Sequence, residues 1–304
     1  MRHVFILNSY GKRDHREIIQ EIFKYCVNHN MDYKIEVNSD KQSTEDIVKK
    51  YSDKNNVIYA VGGDGMINKV LNQVVKTDAT LSYLPYGTGN DLARVLGTYP
   101  NGVRDVNVGK INDKYFINVA CFGVDADISN DERFIHNIFI PRSQRYNVGA
   151  VYHFITYKPK ELEIYYNDNG YNNDIYGKFA TVAVCNSKYY GGGYMIAPNA
   201  IVDDNMFDVY LVDDMNRIRL ARTILKMKNG KHEGMNGVER REMDNITIRS
   251  RNAIKANIDG EVLESDEFNI SLANNVKVYN NTDMIKELDD VLHPENVKKR
   301  ILKR

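Results

Sequence analysis

The sequence predicts an N-terminal α/β domain built on a mostly parallel sheet, followed by an all-β domain of the sandwich kind. Three observations carry this. Short apolar runs alternate with helical patterns through the first hundred residues. Glycine-rich turns follow two of those runs and lead straight into helical patterns. Beyond residue 105, strand-like segments succeed one another with turn residues between them.

The elements follow in order. His3 to Asn8 (HVFILN) reads as an opening strand. Ile18, Ile19, Ile22, Phe23, Cys26 and Val27 then recur at helical spacing and mark a buried stripe. Tyr33 to Val37 reads as a second strand, and Thr44 to Tyr51 as a helix with Thr44 as its cap. Val57 to Val61 (VIYAV) is a continuous apolar run, the mark of a strand covered on both faces. A helix follows with Ile67, Val70, Leu71, Val74 and Val75 on one side. Leu81 to Pro85 is the next strand, and Asp91 to Leu96 opens the next helix. Strand and helix in this rhythm mean parallel strands joined by helical crossovers.

Near residue 105 the pattern changes. Val106 to Ile111 and Tyr115 to Ala120 flank NDK as a hairpin. A helical, aromatic and basic stretch runs from Arg133 to about Tyr157. Strands are expected at Leu162–Tyr166, Lys178–Cys185, Met206–Val212, Asn245–Arg249, Ala253–Ile258 and Phe268–Leu272, with a helical insertion around Ile218 to Lys228. The domains are therefore drawn as residues 1–118 and 119–280, with a helical segment 281–304 packing back on the first.

Composition excludes several classes. Hydrophobic content of 42% and charged content of 27% are those of a folded globular chain. Lysine plus arginine equal aspartate plus glutamate at 41 each, so the basic surface that nucleic-acid binding rests on is not indicated. The opening MRHVFILNSYGKR has too short an apolar stretch for a secretory signal, and no run is long enough to cross a bilayer. Cys26, Cys121 and Cys185 are odd in number and far apart, which suggests neither a disulfide framework nor a zinc site. A reducing cytoplasm is the expected location.

The most informative segment is Gly62-Gly63-Asp64-Gly65, between the VIYAV strand and a helix. Glycine lets backbone approach a ligand closely, and a helix start offers free amides and a positive dipole end, which suit phosphate. Gly87-Thr88-Gly89-Asn90-Asp91 repeats the arrangement after the next strand. In an open parallel sheet both loops lie at the carboxyl ends of the strands, where ligands bind. Neither has the spacing of a P-loop or a dinucleotide fingerprint. Their aspartates would repel a bare phosphate, so a metal–nucleotide complex fits better.

GGDG, PYGTGNDLAR, CFGVDAD, YYGGGYMIAPNAIVDDNMFDVYLV and NIDGEVLE occur in this order. The ordered set resembles the diacylglycerol kinase catalytic family, in particular its soluble bacterial members, which are similar to sphingosine and ceramide kinases. The resemblance spans Asn8 to Glu264 and implies an ATP-dependent lipid kinase with its active site in the cleft between two domains. It implies ATP contacts from Gly62, Gly63, Asp64, Gly65 and Thr88, joined by Asn90 and Asp91 and by Asn8 and Gly11 of the first loop, with Ser39 a looser candidate. It also implies a structural Mg2+ held by the Asp204 carboxylate and the carbonyls of Ile201 and Met206. By itself, Asp203-Asp204-Asn205 reads as a polar turn. Asp259-Gly260-Glu261 likewise reads alone as a hairpin turn. The resemblance makes Glu261 the proton acceptor from the lipid hydroxyl, with Asp259 a close rival. Asp64, Asp91 and Asp125 form an acidic set whose separate roles stay open.

Two departures from the family pattern stand out: Met66 follows GGDG where threonine is usual, and Ser9 follows Asn8 where proline is usual. A missing hydrogen bond to phosphate costs about 1.5–3 kcal/mol. Met66 therefore points to a slower or differently tuned kinase. Docking at a membrane surface is assigned to Arg133–Lys160 and to the cations Lys298, Lys299, Arg300, Lys303 and Arg304. Diacylglycerol is the expected acceptor and a homodimer is left open. The alternatives are an NAD kinase-like enzyme and a catalytically impaired nucleotide- or lipid-binding regulator.

Overall fold

The computed structural model describes residues 1–8, 15–123, 156–168 and 170–292. They form two compact units, one from Met1–Val106 and the chain after Asn274, the other from Asn107–Ala273.

The first unit holds a six-stranded sheet of β1 (Arg2–Asn8), β2 (Asp32–Asn38), β3 (Asn56–Gly62), β4 (Thr80–Pro85), β5 (Gly102–Val106) and β17 (Val276–Asn280), in the order β2-β1-β3-β4-β17-β5. All the pairs are parallel except β17 with β5. Its helices are α1 (Arg16–Asn28), α2 (Thr44–Lys50), α3 (Asp64–Val74), α4 (Asp91–Leu96), α6 (Thr282–Glu287) and α7 (Asp289–Leu292). The VIYAV run is buried throughout, as a central strand covered by helices must be. Asn8 lies opposite Asn38, and Gly62 opposite Pro85. The order reverses at β1 and β3, the switch point where open α/β sheets bind ligands.

Three differences from the sequence reading have physical causes. Ser43, not Thr44, caps α2: its hydroxyl accepts from the Asp46 amide at 3.1 Å while Asp46 Oδ2 accepts from the Ser43 amide at 3.0 Å. Val106 to Ile111 is not one strand, because β5 joins the first sheet while β6 (Gly109–Ile111) pairs with β7 (Lys114–Phe116) in the second. The chain thus leaves the first unit at residue 106 rather than 118. It returns at residue 274 rather than 281, because β17 inserts between β4 and β5.

Asn280 anchors that insertion. Its Nδ2 donates to the carbonyls of Leu96 at 2.9 Å and Tyr99 at 2.8 Å, and its Oδ1 accepts from the Tyr83 hydroxyl at 2.8 Å. Behind it, Met284, Leu288 and Leu292 pack into the core that contains Ile18, Ile22 and Cys26.

The second unit is one sheet of nine strands: β6, β7, β8 (Val119–Gly123), β9 (Lys160–Asp168), β10 (Tyr171–Cys185), β13 (Phe207–Asp213), β14 (Val238–Met243), β15 (Asn245–Ile258) and β16 (Glu261–Leu272). Both β8 and β9 pair with both β10 and β15, so the sheet folds back on itself. The resulting core includes Phe116, Phe122, Phe207 and Phe268. The two strands expected at 245–249 and 253–258 are a single one, β15, with a register shift between Arg249 and Ile254. A small hairpin of β11 (Tyr189–Tyr190) and β12 (Tyr194–Met195), and helix α5 (Arg217–Met227), complete the unit. No described helix is long and apolar enough to cross a membrane. The three cysteines are buried and form no disulfide, and burial pushes the Cys26 thiol up to about 12.

Replacing Asn280 with alanine removes three hydrogen bonds at once, two of them buried. We expect Asn280→Ala to lose about 2–4 kcal/mol of stability, measured by denaturant unfolding at constant m-value.

Candidate active site

The two glycine loops of the first unit touch backbone to backbone. A Cβ placed on Gly87 would stand 2.3 Å from the Cα of Gly63, closer than any side chain can come. At Gly65, by contrast, a Cβ would meet nothing within 4 Å. The loops therefore form one platform, tight where they meet and open at the start of α3.

Side chains fix this platform. Asn90 takes up a left-handed conformation, with φ of 56°. Its Oδ1 accepts from the Gly87 amide at 3.2 Å, and its Nδ2 donates to the Gly87 carbonyl at 3.1 Å. Asp64 reaches from α3 to the start of α4, where its Oδ1 accepts from the Asp91 amide at 2.7 Å and the Leu92 amide at 3.4 Å. The free amides expected at α4 are thus partly taken by Asp64. At α3 the amides of Met66 and Ile67 return to the Gly63 carbonyl, whereas those of Asp64 and Gly65 have no acceptor among the described residues. Phosphate-binding capacity is therefore concentrated at the first loop.

The other expected nucleotide contacts that are described lie at or just past the carboxyl ends of the parallel strands. Asn8 ends β1, and its carbonyl accepts from His15 Nε2 at 2.8 Å. Ser39 is half-buried just past β2, bridged to Gln42. Thr88 is exposed and borders a cavity of about 630 Å³ also lined by Asn90, Arg94, Thr282, Ile285 and Lys286. Asp91 is buried, with Arg94 Nε 3.8 Å from its carboxylate. Gly11 and Asp125 lie outside the described residues. Met66 is buried with its Cβ against Gly62, where a glycine Cβ would come within 2.6 Å of it.

In the second unit, the Asp259-Gly260 turn joins β15 to β16 with both residues at positive φ, 48° and 92°, the two-residue hairpin that Asp-Gly favours. The two acids beside it differ sharply. Asp259 is buried, and its carboxylate accepts from the amides of Ile117 at 2.7 Å, Val119 at 2.8 Å and Asn118 at 3.2 Å to either oxygen. Glu261 is half-exposed, and its carboxylate lies 3.1 Å from Lys114 Nζ. Lys114 also donates to the Val262 carbonyl at 3.3 Å. An exposed pair of this kind is worth about 0–1 kcal/mol, so it orients Glu261 without sequestering it. Sequence reasoning missed Lys114 because its partner lies 147 residues further along the chain.

The segment Ile201–Met206 is a turn in which the Met206 amide donates to Asp204 Oδ1 at 3.0 Å. Although Asp204 is exposed, loss of surrounding water pushes its carboxyl above the usual range, and Glu242 and Asp203 push it further. No backbone amide among the described residues donates to the carbonyls of Ile201 or Met206. One uncomfortable carboxylate and two available carbonyls suit a hard cation completed by water. Among the described residues no cluster of three histidine, cysteine or acidic side chains could hold a metal.

A glycine platform on a parallel sheet, followed by an acid-tipped β domain, defines a two-domain kinase of lipid-kinase type. Two family models match it in succession: the diacylglycerol kinase catalytic domain over residues 2–114, and the YegS C-terminal NAD kinase β-sandwich-like domain over residues 118–275. The chain belongs to the diacylglycerol kinase family and is a lipid kinase. It is 27% identical to the diacylglycerol kinase of Bacillus subtilis, over 77% of this chain and 80% of that one. It is 25% identical to a Pseudomonas aeruginosa protein named "Probable lipid kinase YegS-like", over 71% and 73%. A crystal structure of a diacylglycerol kinase from Bacillus anthracis shares the fold, with a TM-score of 0.65 at 19% identity, over 92% of this chain and 97% of that one.

Two substitutions check the geometry. Asp259→Ala strands three amides, two of them bonded at 2.8 Å or less, and should cost about 3–5 kcal/mol in unfolding measurements. Gly87→Ala forces backbone apart at Gly63 and should lower the melting temperature by several degrees, about 2–4 °C per kcal/mol lost.

Proposed function

We propose that this lipid kinase transfers the γ-phosphoryl group of ATP to the hydroxyl of diacylglycerol, giving a phosphatidic acid and ADP. The observation that supports this most is the open amide pair at Asp64 and Gly65, held at the switch point of a parallel sheet. In this reading Gly62, Gly63, Gly65 and Thr88 carry the triphosphate, with Asn8 and Ser39 toward the rest of the nucleotide. Asn90, Asp64 and Asp91 keep the platform in shape.

Glu261 is the base and Asp259 is its anchor. A base needs an unoccupied lone pair within reach of the hydroxyl. Asp259 has committed its oxygens to three amides, whereas Glu261 stands at the turn with one ion pair. As the acceptor oxygen bonds to the γ-phosphorus and the bond to the ADP oxygen breaks, Glu261 takes the hydroxyl proton. Magnesium would neutralise charge on the phosphates in such a transfer. A second, structural magnesium is assigned to Asp204, Ile201 and Met206, where it would offset the acidity gathered around Asp204.

The acceptor is tested by labelled phosphate transfer to diacylglycerol, a sphingoid base and NAD in parallel. Transfer to NAD alone would overturn the proposal, and ATP binding without any transfer would point to a regulator. Glu261→Gln should fold as the parent does yet lose at least about 100-fold in turnover. Gly65→Ala should melt no lower than the parent, since alanine is the better helix former, while its KM for ATP rises. Magnesium should raise the melting temperature of the parent and leave that of Asp204→Asn nearly unmoved.

A further inference from the structure

Helix α5 (Arg217–Met227) presents a surface that the described residues leave exposed. Its inner side packs Leu220, Thr223 and Met227 into the core of the second unit. Its outer side carries Ile218 and Leu225, 70% and 68% exposed, the most exposed large aliphatic side chains among the described residues of that unit. They are seven residues apart, with Arg222 between them, and so lie along one helical stripe.

The charge around that stripe is of one sign. Residues 217–231 contain Arg217, Arg219, Arg222, Lys226, Lys228 and Lys231 and no carboxylate, in a chain whose total charge is zero. Arg219 donates to the Asn236 carbonyl at 3.1 Å, and none of the six is in an ion pair among the described residues. The acids nearest in sequence are Asp213 and Asp214 before the helix and Glu233 after it; Tyr157 and Asn199 respectively engage the latter two. Lys228 lies 6.0 Å from the ring of Tyr194, which brings the β11–β12 hairpin beside the end of α5. That hairpin carries half-buried Tyr189, Tyr190 and Tyr194 around three glycines at positive φ.

We propose that α5 and the tyrosine hairpin dock on an anionic lipid bilayer. Cations alone would suit any polyanion, but two bare aliphatic side chains projecting among them gain nothing from a nucleic-acid backbone. They gain by entering acyl chains, while arginine and lysine stay with the headgroups and tyrosine rings sit at the boundary. Each cation near such a surface strengthens partition about fivefold. The inference rests on α5 and the hairpin beside it and is independent of which lipid is phosphorylated.

The chain lacks tryptophan, so Leu225→Trp supplies a single reporter. With phosphatidylcholine vesicles containing phosphatidylglycerol, its emission should shift to the blue and the protein should sediment with the vesicles. Phosphatidylcholine alone should produce neither. Arg222→Glu with Lys226→Glu should weaken partition at least about 25-fold, from two cations at about fivefold each. Ile218→Ser with Leu225→Ser should weaken it at least about tenfold. All four sites are exposed, and turnover on short-chain diacylglycerol in detergent micelles should stay at the parent level. Unchanged emission from the Leu225→Trp reporter, parental vesicle binding by both double variants, or tighter binding to duplex DNA than to the vesicles would overturn the proposal. Loss of micellar turnover by the parent protein would instead count against the assigned acceptor.

Discussion

The glycine platform depends on one close contact, the backbone of Gly63 against the backbone of Gly87. Two parallel strands deliver two loops to the same edge, and in register, because Gly62 lies opposite Pro85. Any side chain at the crossing would separate them. Once they touch, Asp64 on one can reach the helix start of the other, and the carboxylate that looks like a metal ligand becomes a cap. A charged acceptor on a helix start is among the stronger caps available. It also leaves the start of α3, rather than α4, as the place where amides remain for an anion.

The second unit repeats this logic with another aspartate. Asp259 gathers the amides of residues 117–119 and so ties the β15–β16 turn to the strand entering β8. Around it, Asn118 accepts from Ser187 at 2.9 Å, and Asn186 donates to the carbonyls of Asn107 and Ile117. Every polar atom named here is paired except Asn186 Oδ1, which is buried without a hydrogen-bond partner among the described residues, and the bonds that are made hold the turn in place. Rigidity there serves Glu261, two residues on, whose backbone position is set before any ligand arrives. Each unit thus commits one aspartate to holding its own backbone.

Much of the first unit was legible in the sequence because parallel strands announce themselves as apolar runs. VIYAV and the strand ending at Pro85 appear where expected, and the glycines after them mark the platform. What stayed hidden was decided by distant partners. VKVYN sits among polar residues and becomes a central strand only through β4 and β5, both more than 160 residues earlier. The roles of Asp64 and Asp259 were out of reach for the same reason, since each is defined by amides far along the chain. β15 and β16 read as shorter segments because their outer faces are charged, as antiparallel strands with one wet face are. Gly11, Asp125 and the segment 133–155 lie outside the described residues.

Met66 shows how packing and chemistry compete at one position. Its side chain is buried over Gly62, at the third residue of the α3 turn that carries the open amides. A threonine there would exchange that cover for a hydroxyl beside the proposed phosphate site, losing apolar burial and gaining a donor. Burying a methionine side chain is worth about 1.5–3 kcal/mol, close to the value of a hydrogen bond to a charged group. The two residues are therefore near equals in energy but not in kind. Methionine stabilises the loop at all times, whereas threonine contributes its share only when nucleotide is bound. What the geometry around Gly62 supports is a platform tightened by apolar cover.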